Sequence, residues 1–307
     1  MKLSRREFVG TVALAGLGAQ FVAAAPAPQP LAFSTLGCPR WTWLQILDFA
    51  AQHGFSAVEL RGMLGELNLP ARPEFAADKI LQAKRDVASR GLKIACVSSS
   101  AAMHEEDAQK RAQQLADARS FIDLAAALEA PYVRVFGNDI KGPREAVIAR
   151  VAAGLRELGE YARPRNVTVI IESHGDFTDS PTLKDILTRA DSDHVALLWD
   201  AHHTFVSSHE EPEFTVSQLG KWIRHTHLKD SVPDVKADGK DRRYVLTGKG
   251  DVPVERQIRA LVAMGYQGRY CFEWEKVWHP ELAEPEVAIA DYSKVAGEYL
   301  EKASRKS

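Results

Sequence analysis

The feature that most constrains the fold of this chain is an eightfold alternation of short β-rich runs with long amphipathic segments after residue 30. Such an alternation is typical of a parallel sheet built from βα units, and eight of them predict a closed (β/α)8 barrel, the TIM barrel. No Pro/Ser-rich or low-complexity linker interrupts residues 31–303, so we predict one domain over that range. The predicted strands lie near 32–36, 56–61, 92–98, 131–137, 166–172, 194–200, 222–228 and 268–274, and the clearest predicted helices span 41–53, 75–90, 107–129 and 143–163.

Motifs and net charge argue against nucleotides and nucleic acids as ligands. A doubly wound sheet often carries a Gly-rich phosphate turn after its first strand, whereas this chain has Gly37-Cys38-Pro39 there. No GxGxxG or GxxxxGK[ST] motif follows any predicted strand, so we predict no nucleotide cofactor. The 39 Lys and Arg residues against 41 Asp and Glu give a formal charge of -2, which disfavours a nucleic-acid partner. The polar connection 231–252 is a candidate lid.

The first residues are typical of a targeting segment. Ser4-Arg5-Arg6-Glu7-Phe8-Val9 opens an otherwise uncharged run that extends to Ala25 and is rich in Ala, Gly and Leu. This pattern resembles a twin-arginine signal, and we predict a signal peptide over residues 1–24. The implied partner is the twin-arginine export machinery, with membrane contact only through this segment and a periplasmic or otherwise exported location. An uncleaved membrane anchor is the alternative.

Ionisable residues end four predicted strands, and in a barrel the carboxyl ends of the strands build the functional site. They are Glu172, Asp200, His227 and Glu273. Carboxylates buried at the mouth of an apolar barrel are costly unless they are paired or coordinate a cation, so we predict a metal site. Period-two alternation places His225 on the same face as His227, and only the position at the strand end favours His227. Three carboxylates and an imidazole suit Mn²⁺ first, with Zn²⁺, Co²⁺ or Mg²⁺ behind it.

Six short motifs, in this order and on these strands, give the chain a family resemblance. The sequence resembles the xylose isomerase-like TIM barrels, which include sugar isomerases, sugar 3-epimerases, inosose dehydratases and apurinic endonucleases. The resemblance covers residue 31 to about residue 303. The motifs are Gly-Phe-Ser-Ala-Val-Glu-Leu at 54–60, Ile-Glu-Ser-His at 171–174, Trp-Asp-Ala-His-His at 199–203, His-Leu-Lys-Asp at 227–230, Gly-Lys-Gly-Asp-Val-Pro at 248–253 and Phe-Glu-Trp-Glu at 272–275.

The resemblance implies a metal-dependent reaction on a small carbohydrate. It implies that Glu172, Asp200, His227 and Glu273 hold one divalent ion, and that Glu172 and Glu273 are the acid/base pair on opposite faces of the substrate. Such a pair can isomerise or epimerise an unphosphorylated sugar by moving a proton next to a chelated carbonyl. With a leaving group β to that carbon, the same site would act as a lyase or dehydratase of a keto sugar or keto-glycoside.

Two further classes of function stay open as weaker alternatives. Apurinic endonucleases of this group use additional His ligands from earlier strands, whereas the second, third and fourth predicted strands end near Arg61, Ser98–Ser100 and Phe136–Asn138. That departure argues against a metal-dependent nuclease. A non-catalytic sugar-binding protein is the other alternative.

Six residues near strand ends are candidate substrate contacts, each with a structural alternative. The histidines could instead orient a ligand carboxylate, and the lysine could pair with Asp230 or Glu275. The glutamate could form an ion pair with Arg61 at the rim, and the aromatic residues could be core or rim packing. The six are His174, His203, Lys229, Glu59, Trp41 and Phe136.

Overall fold

The computed structural model describes residues 29–234 and 241–305, and within them eight parallel strands close into a barrel. The barrel order is β1-β2-β3-β4-β5-β6-β7-β10, with β10 paired to β1, which confirms the predicted fold class. The predicted targeting segment, residues 1–24, lies outside the described residues. The strands are β1 (Leu31–Ser34), β2 (Ala57–Leu60), β3 (Lys93–Ala102), β4 (Tyr132–Phe136), β5 (Thr168–Glu172), β6 (Val195–Asp200), β7 (Ile223–Leu228), β8 (Asp230–Pro233), β9 (Arg242–Val245) and β10 (Tyr270–Phe272).

Helices surround the barrel, and their ends follow local sequence signals. The first helix begins after Thr42, which forms a reciprocal capping box with Gln45. The helix predicted from residue 75 begins only at Ile80, because Pro73–Phe75 forms a separate 3-10 turn. No helix in the described part of the chain is long and apolar enough to span a membrane. The helices are α1 (Trp43–Gln52), α2 (Ile80–Ala88), α3 (Ala108–Ala127), α4 (Arg144–Ala162), α5 (Ser180–Ala190), α6 (Ala201–Ser208), α7 (Pro212–Leu219), α8 (Val254–Ala263) and α9 (Pro285–Ser304).

The barrel interior has an apolar amino-terminal half and a charged carboxyl-terminal half. Outward-facing strand residues such as Val133 and Val135 pack against the helices in the main core. Two smaller clusters fill the inside of the barrel, and most of their members are Ala or Cys. Above them, the inward positions on the same strands carry Glu59, Glu172 and His227, all buried. The charged groups therefore meet at the carboxyl ends of the strands, where barrel enzymes carry their sites.

The polar connection predicted as a lid contains an antiparallel ribbon formed by β8 and β9. The Asp230 carboxylate anchors the turn after β9, because it accepts backbone N–H bonds from Gly248, Gly250 and Val252 at 2.9, 2.9 and 3.2 Å. A Cβ on Gly250 would lie 2.1 Å from Asp230 Oδ1, so this close approach requires glycine. The Gly-Lys-Gly motif thus fixes the ribbon to the barrel.

Candidate metal centre

Four side chains from consecutive barrel strands converge at the mouth of the barrel. Glu172 ends β5, Asp200 ends β6, His227 lies near the end of β7, and Glu273 directly follows β10. Each offers one ligand atom, and these atoms lie within 4.8 Å of one another. All four residues are at most 5% exposed. The structure therefore brings together the four residues that the strand-end pattern singled out.

Asp200 is oriented by the helix that follows it. Its Oδ1 caps the amino terminus of α6 by accepting the backbone N–H groups of His202 and His203, both at 3.0 Å. A helix amino terminus stabilises a carboxylate, since its N–H groups are otherwise unpaired. Oδ2 is thereby left facing the cluster.

The two histidines of β7 have different roles. His227 Nε2 donates to Glu59 Oε2 at 2.8 Å, while His227 Nδ1 lies 3.1 Å from Glu273 Oε1 and 3.6 Å from Glu172 Oε1. His225 also contacts Glu59, at 2.7 Å, but lies below the cluster. The alternation rule left this choice open, and the geometry selects His227 as the candidate ligand.

Two other groups of possible ligand residues are less suited to a metal. In the group below the cluster, Glu59 already accepts bonds from two imidazoles and Ser34, and burial raises the pKa of the Cys271 thiol, which keeps it protonated. In the group around Asp200, Nε2 of His202 is hydrogen-bonded to Ser231 Oγ at 2.7 Å. These groups therefore surround and orient the four-residue cluster.

Lys229 lies inside the cluster and is 1% exposed. Its Nζ is 2.8 Å from Asp200 Oδ2 and 2.8 Å from Glu275 Oε1, and it also contacts Glu273. Of the two pairing alternatives for this lysine, the structure shows Glu275, since the Asp230 carboxylate binds the ribbon turn instead. Burial by itself lowers the pKa of Lys229, but Asp200 and Glu273 outweigh it and hold that pKa well above its usual value.

Arg134, on the inward face of β4, is a site residue that the sequence reasoning missed. It is 1% exposed, and its Nη1 lies 3.3 Å from Glu172 Oε2. Its guanidinium carbon is 3.9 Å from the centre of the Phe136 ring. The available signal was an arginine between two valines in an apolar strand, because such a residue must face a partner inside the barrel.

The two glutamates of the cluster are ionised at neutral pH. Burial alone raises the pKa of Glu172, but Arg134 and His227 bring it below its usual value. Burial also raises the pKa of Glu273, but His227 and Lys229 outweigh it and hold that pKa well below its usual value. For His227, burial lowers the pKa, whereas Glu273 and Glu59 hold it well above its usual value. The site is thus organised around negative charge.

The donor set and the charge balance both fit a divalent cation. Three buried atoms of the cluster have no hydrogen-bond partner, namely Glu172 Oε2, Asp200 Oδ2 and His227 Nδ1, although Glu172 Oε2 is ion-paired with Arg134 and Asp200 Oδ2 with Lys229. With His227 neutral, as a metal ligand must be, five carboxylates stand against three cations in the cluster and its immediate surroundings, which leaves two negative charges for a divalent ion to balance. The carboxylates are Glu59, Glu172, Asp200, Glu273 and Glu275, and the cations are Arg61, Arg134 and Lys229.

Three of the predicted substrate contacts lie around the cluster. The ring of His174 is 4.6 Å from that of Phe136 and 5.1 Å from that of His203, so the three form one wall. His203 Nδ1 lies 3.0 Å from Ser173 O and 3.4 Å from Asp200 Oδ2. His174 Nδ1 has no hydrogen-bond partner among the described residues, and burial lowers its pKa. It is therefore a free polar group beside the cluster.

Tyr244, on β9, lies beside Lys229 and Glu275 of the site and was not singled out from the sequence. Its hydroxyl donates to Glu275 Oε1 at 3.0 Å, and its ring centre lies 5.8 Å from Lys229 Nζ. The ring also lies 5.5 Å from that of His202 and 5.4 Å from that of His279. The ribbon therefore delivers an aromatic side chain to the edge of the cluster.

Two of the predicted substrate contacts occupy other places. Glu59 is fully buried beneath His227, so the interpretation as a rim ion pair with Arg61 is wrong, and the contacts of its carboxylate leave no face for a substrate. Trp41 lies between α1 and α9, where its ring is 4.7 Å from that of Phe49 and its Nε1 donates to Glu286 at 3.2 Å. It is packing, which was the structural alternative.

Comparison with known proteins places these features in context. Residues 47–293 match the family model described as xylose isomerase-like TIM barrel. An inosose dehydratase from Clostridium botulinum is 25% identical over 297 residues, which cover 87% of this chain and 96% of that protein. Among solved structures, an L-ribulose 3-epimerase superposes with a TM-score of 0.74 at 17% identity, covering 90% of this chain and 96% of the other. The IOLI protein with a bound zinc atom gives a TM-score of 0.73 at 19% identity, covering 89% and 98%.

Proposed function

The chain belongs to the xylose isomerase-like TIM barrel family, and from that premise and its metal-ligand cluster we propose that it is a divalent-metal-dependent sugar isomerase or epimerase. The observation that carries the proposal is the convergence of Glu172, Asp200, His227 and Glu273 at the carboxyl ends of four consecutive strands. Glu172 and Glu273 lie on opposite sides of His227 around the barrel, and a proton transfer with two bases needs two separate carboxylates.

The ligand assignment follows from the atoms that are left without partners. His227 Nδ1, Asp200 Oδ2 and one oxygen each of Glu172 and Glu273 would hold the ion. A bound divalent ion supplies charge stabilisation for a carbonyl oxygen and its neighbouring hydroxyl. We expect Mn²⁺ first, with Zn²⁺, Co²⁺ or Mg²⁺ as alternatives, because three oxygen donors and one nitrogen suit a hard or borderline ion.

The proton transfer is assigned to the two glutamates. One carboxylate removes the proton from the carbon next to the substrate carbonyl. In an isomerisation the same carboxylate returns that proton to the neighbouring carbon, whereas in an epimerisation the other carboxylate first takes up a proton from water and delivers it to the opposite face. Both are ionised before substrate binds, because Arg134 and His227 hold the pKa of Glu172 below the usual range, and His227 and Lys229 do the same for Glu273. Lys229, beside Glu273, is placed to stabilise negative charge on a substrate oxygen as the proton leaves.

The walls of the site suit a small polar ring with one apolar face. His174 and His203 offer hydrogen bonds, while Phe136 and Tyr244 offer aromatic surfaces. Arg134 and Lys229 are already paired with carboxylates of the site, so neither is free to bind the phosphate group of a phosphorylated sugar. We further propose that the protein is exported by the twin-arginine route, on the basis of Arg5-Arg6 and the uncharged run that follows, which would place it where unphosphorylated sugars occur.

A dehydratase is the second candidate, because the similarity to an inosose dehydratase extends over 96% of that protein. The first step would be the same removal of a proton next to the carbonyl. The electron pair of the broken C–H bond would then form a double bond to the next carbon. The hydroxyl group on that carbon would take a proton and leave as water. The two candidates therefore differ in the substrate's leaving group and share the same base.

The decisive experiment uses the manganese-loaded protein in deuterated water with L-ribulose and with an inosose, followed by NMR. An epimerase or isomerase incorporates deuterium next to the carbonyl and forms a saturated product, whereas a dehydratase forms an unsaturated one. Glu172→Gln and Glu273→Gln should each lower turnover by about a thousandfold or more while metal remains bound. The matched control is Glu210→Gln, because Glu210 is a buried carboxylate between α5 and α7, outside the site. Full activity in either site variant would overturn the two-carboxylate mechanism.

A further inference from the structure

A second cavity, which we call the rear cavity, opens at the amino-terminal end of the barrel, opposite the metal-ligand cluster. It has a volume of about 800 Å³ and is lined at its inner end by Ala57, Ala95, Tyr132 and His225. Its lining includes the residues at which β2, β3 and β4 begin, whereas the cluster lies where the strands end. It exists because the inward positions in this half of the barrel carry alanine, whose side chain leaves space. A volume of this size suits a small organic molecule.

The inner end of the rear cavity carries an unpartnered polar atom. His225 is fully buried, and its Nε2 bonds to Glu59 at 2.7 Å. Because a carboxylate only accepts hydrogen bonds, Nε2 donates to Glu59, and Nδ1 is the ring nitrogen that is left for another partner. Nδ1 has no hydrogen-bond partner among the described residues. A buried polar atom without a hydrogen-bond partner costs free energy. A ligand hydroxyl group, which can donate or accept a hydrogen bond, would supply the missing partner.

The outer end of the rear cavity is rich in positive charge. Lys84, Arg85, Lys93 and Arg269 line it, against the single carboxylate of Glu129. Glu129 pairs with Lys84, while Lys93 and Arg269 form no ion pair within residues 29–234 and 241–305. Arg269 Nε is also buried without a hydrogen-bond partner. An anionic group would therefore find charge complementarity at this end.

The wall between the two ends is apolar. Aliphatic side chains from α2, β3 and the end of α3 form it, and one of them, Leu81, is 67% exposed. An exposed leucine beside a concave apolar surface is typical of a ligand-binding groove. The wall residues are Leu81, Val87, Leu92, Ile94 and Leu128.

We propose that the rear cavity binds an amphipathic hydroxy acid, with its hydroxyl group on His225 Nδ1, its apolar body along the aliphatic wall and its carboxylate between Lys93 and Arg269. Such a molecule matches the cavity at three depths: its hydroxyl group at the inner end, its apolar segment along the wall and its anionic group at the outer end. Neither a sugar nor a simple aliphatic chain satisfies all three. This site is independent of the reaction at the mouth of the barrel.

Isothermal titration of the full chain with three probes tests the proposal. The probe 10-hydroxydecanoate should bind, while decanoate, which lacks the hydroxyl group, and 1,10-decanediol, which lacks the carboxylate, should each bind about fivefold or more weakly. Equal affinity for the three probes would overturn the proposal, as would the absence of heat at millimolar 10-hydroxydecanoate.

Two surface variants locate the binding site. Lys93→Glu places a negative charge at the outer end and should weaken 10-hydroxydecanoate about tenfold, with no change in metal affinity. Lys184→Glu makes the same charge change on the exposed face of α5, outside the cavity, and should leave binding unchanged. Both residues are exposed, so both variants should fold, as circular dichroism can verify. Equal affinities of the two variants would contradict the assigned site.

Discussion

Glu59 accepts a hydrogen bond from Nε2 of His227 at 2.8 Å, on the side of the imidazole that faces away from the three other candidate ligands. The same carboxylate oxygen accepts a bond from His225, and the other oxygen accepts one from Ser34 at 3.0 Å. When the His227 ring is neutral, as metal binding requires, this arrangement keeps the proton on Nε2 and the lone pair on Nδ1, the atom that faces Glu172 and Glu273. A residue on β2 thereby orients a ligand on β7.

Replacing Glu59 with Gln should weaken metal binding by about 10- to 100-fold. The amide oxygen can still accept from both imidazoles while its N–H₂ faces the Ser34 hydroxyl, but a neutral oxygen accepts less strongly than a carboxylate, so His227 is held less firmly. Competition with a fluorescent chelator measures the change. Glu210→Gln is the control for loss of a buried carboxylate elsewhere, and it should lower thermal stability without changing metal affinity. Unchanged metal affinity in the Glu59 variant would mean that strand geometry alone orients His227.

Lys229→Met should slow turnover by about 100-fold while metal binds more tightly. The substitution keeps the length and burial of the side chain but removes a positive charge that lies 2.8 Å from Asp200 Oδ2 and would repel a cation at the cluster. Turnover falls because the ammonium group no longer stabilises charge on the substrate. Steady-state kinetics at saturating metal, with a metal titration of the same variant, separates the two effects. Weaker metal binding would show instead that Lys229 mainly holds the carboxylates in position.

The metal-ligand cluster could be predicted because its information is local to each strand. An apolar run that ends in Glu172 or Asp200 is visible in the sequence, and the barrel fold brings such strand ends together. The choice between His225 and His227 was not settled by alternation, since both face inward. It required the position of Glu59 beneath them, which lies 166 and 168 residues away in the chain.

The contacts that the sequence did not reveal depend on pairings across the barrel. Glu59 and Arg61 share a face of one strand, which made an ion pair between them one alternative. Glu59 instead contacts the two histidines of β7 inside the barrel. Arg134 was overlooked because its partner, Glu172, becomes a neighbour only when β4 pairs with β5. Tyr244 reaches the cluster only through the register of β8 with β9. In each case the missing information was register between strands.

Tyr244→Ala should raise KM about tenfold and change kcat less, whereas Tyr244→Phe should have a smaller effect. The ring forms a wall of the site, and the hydroxyl adds only the bond to Glu275. Steady-state kinetics with the substrate found in the deuterium experiment measures both constants. Tyr161→Ala provides a control, because Tyr161 packs on Arg165 at the outer surface. A larger loss in kcat than in KM would place Tyr244 in the chemical step.

Gly250→Ala should destabilise the fold by about 2 kcal/mol or more. The new Cβ would lie 2.1 Å from Asp230 Oδ1 and 2.3 Å from Ser231 O, so the turn must separate from the carboxylate that anchors it. Gly220→Ala is the matched control, because its Cβ would lie 3.5 Å from Met264, an ordinary contact, and we expect little change. Urea unfolding of both variants measures the free energy of unfolding. Equal stability of the two would mean that the ribbon turn can move without loss.

Metal binding at neutral pH should release about one proton per ion, because His227 is protonated before the metal arrives. Burial alone lowers the pKa of His227, but Glu273 and Glu59 hold it well above its usual value, whereas the pKa values of Glu172 and Glu273 are held below theirs. The carboxylates therefore have no proton to lose, and His227 Nδ1 does. Because the ion must displace that proton, metal affinity should rise with pH, by up to about tenfold per unit, until the pH passes the pKa of His227. Calorimetry in buffers of different ionisation enthalpy counts the protons directly. A count near zero at neutral pH would mean that His227 is already neutral in the metal-free protein, and the affinity would then be flat over the same range.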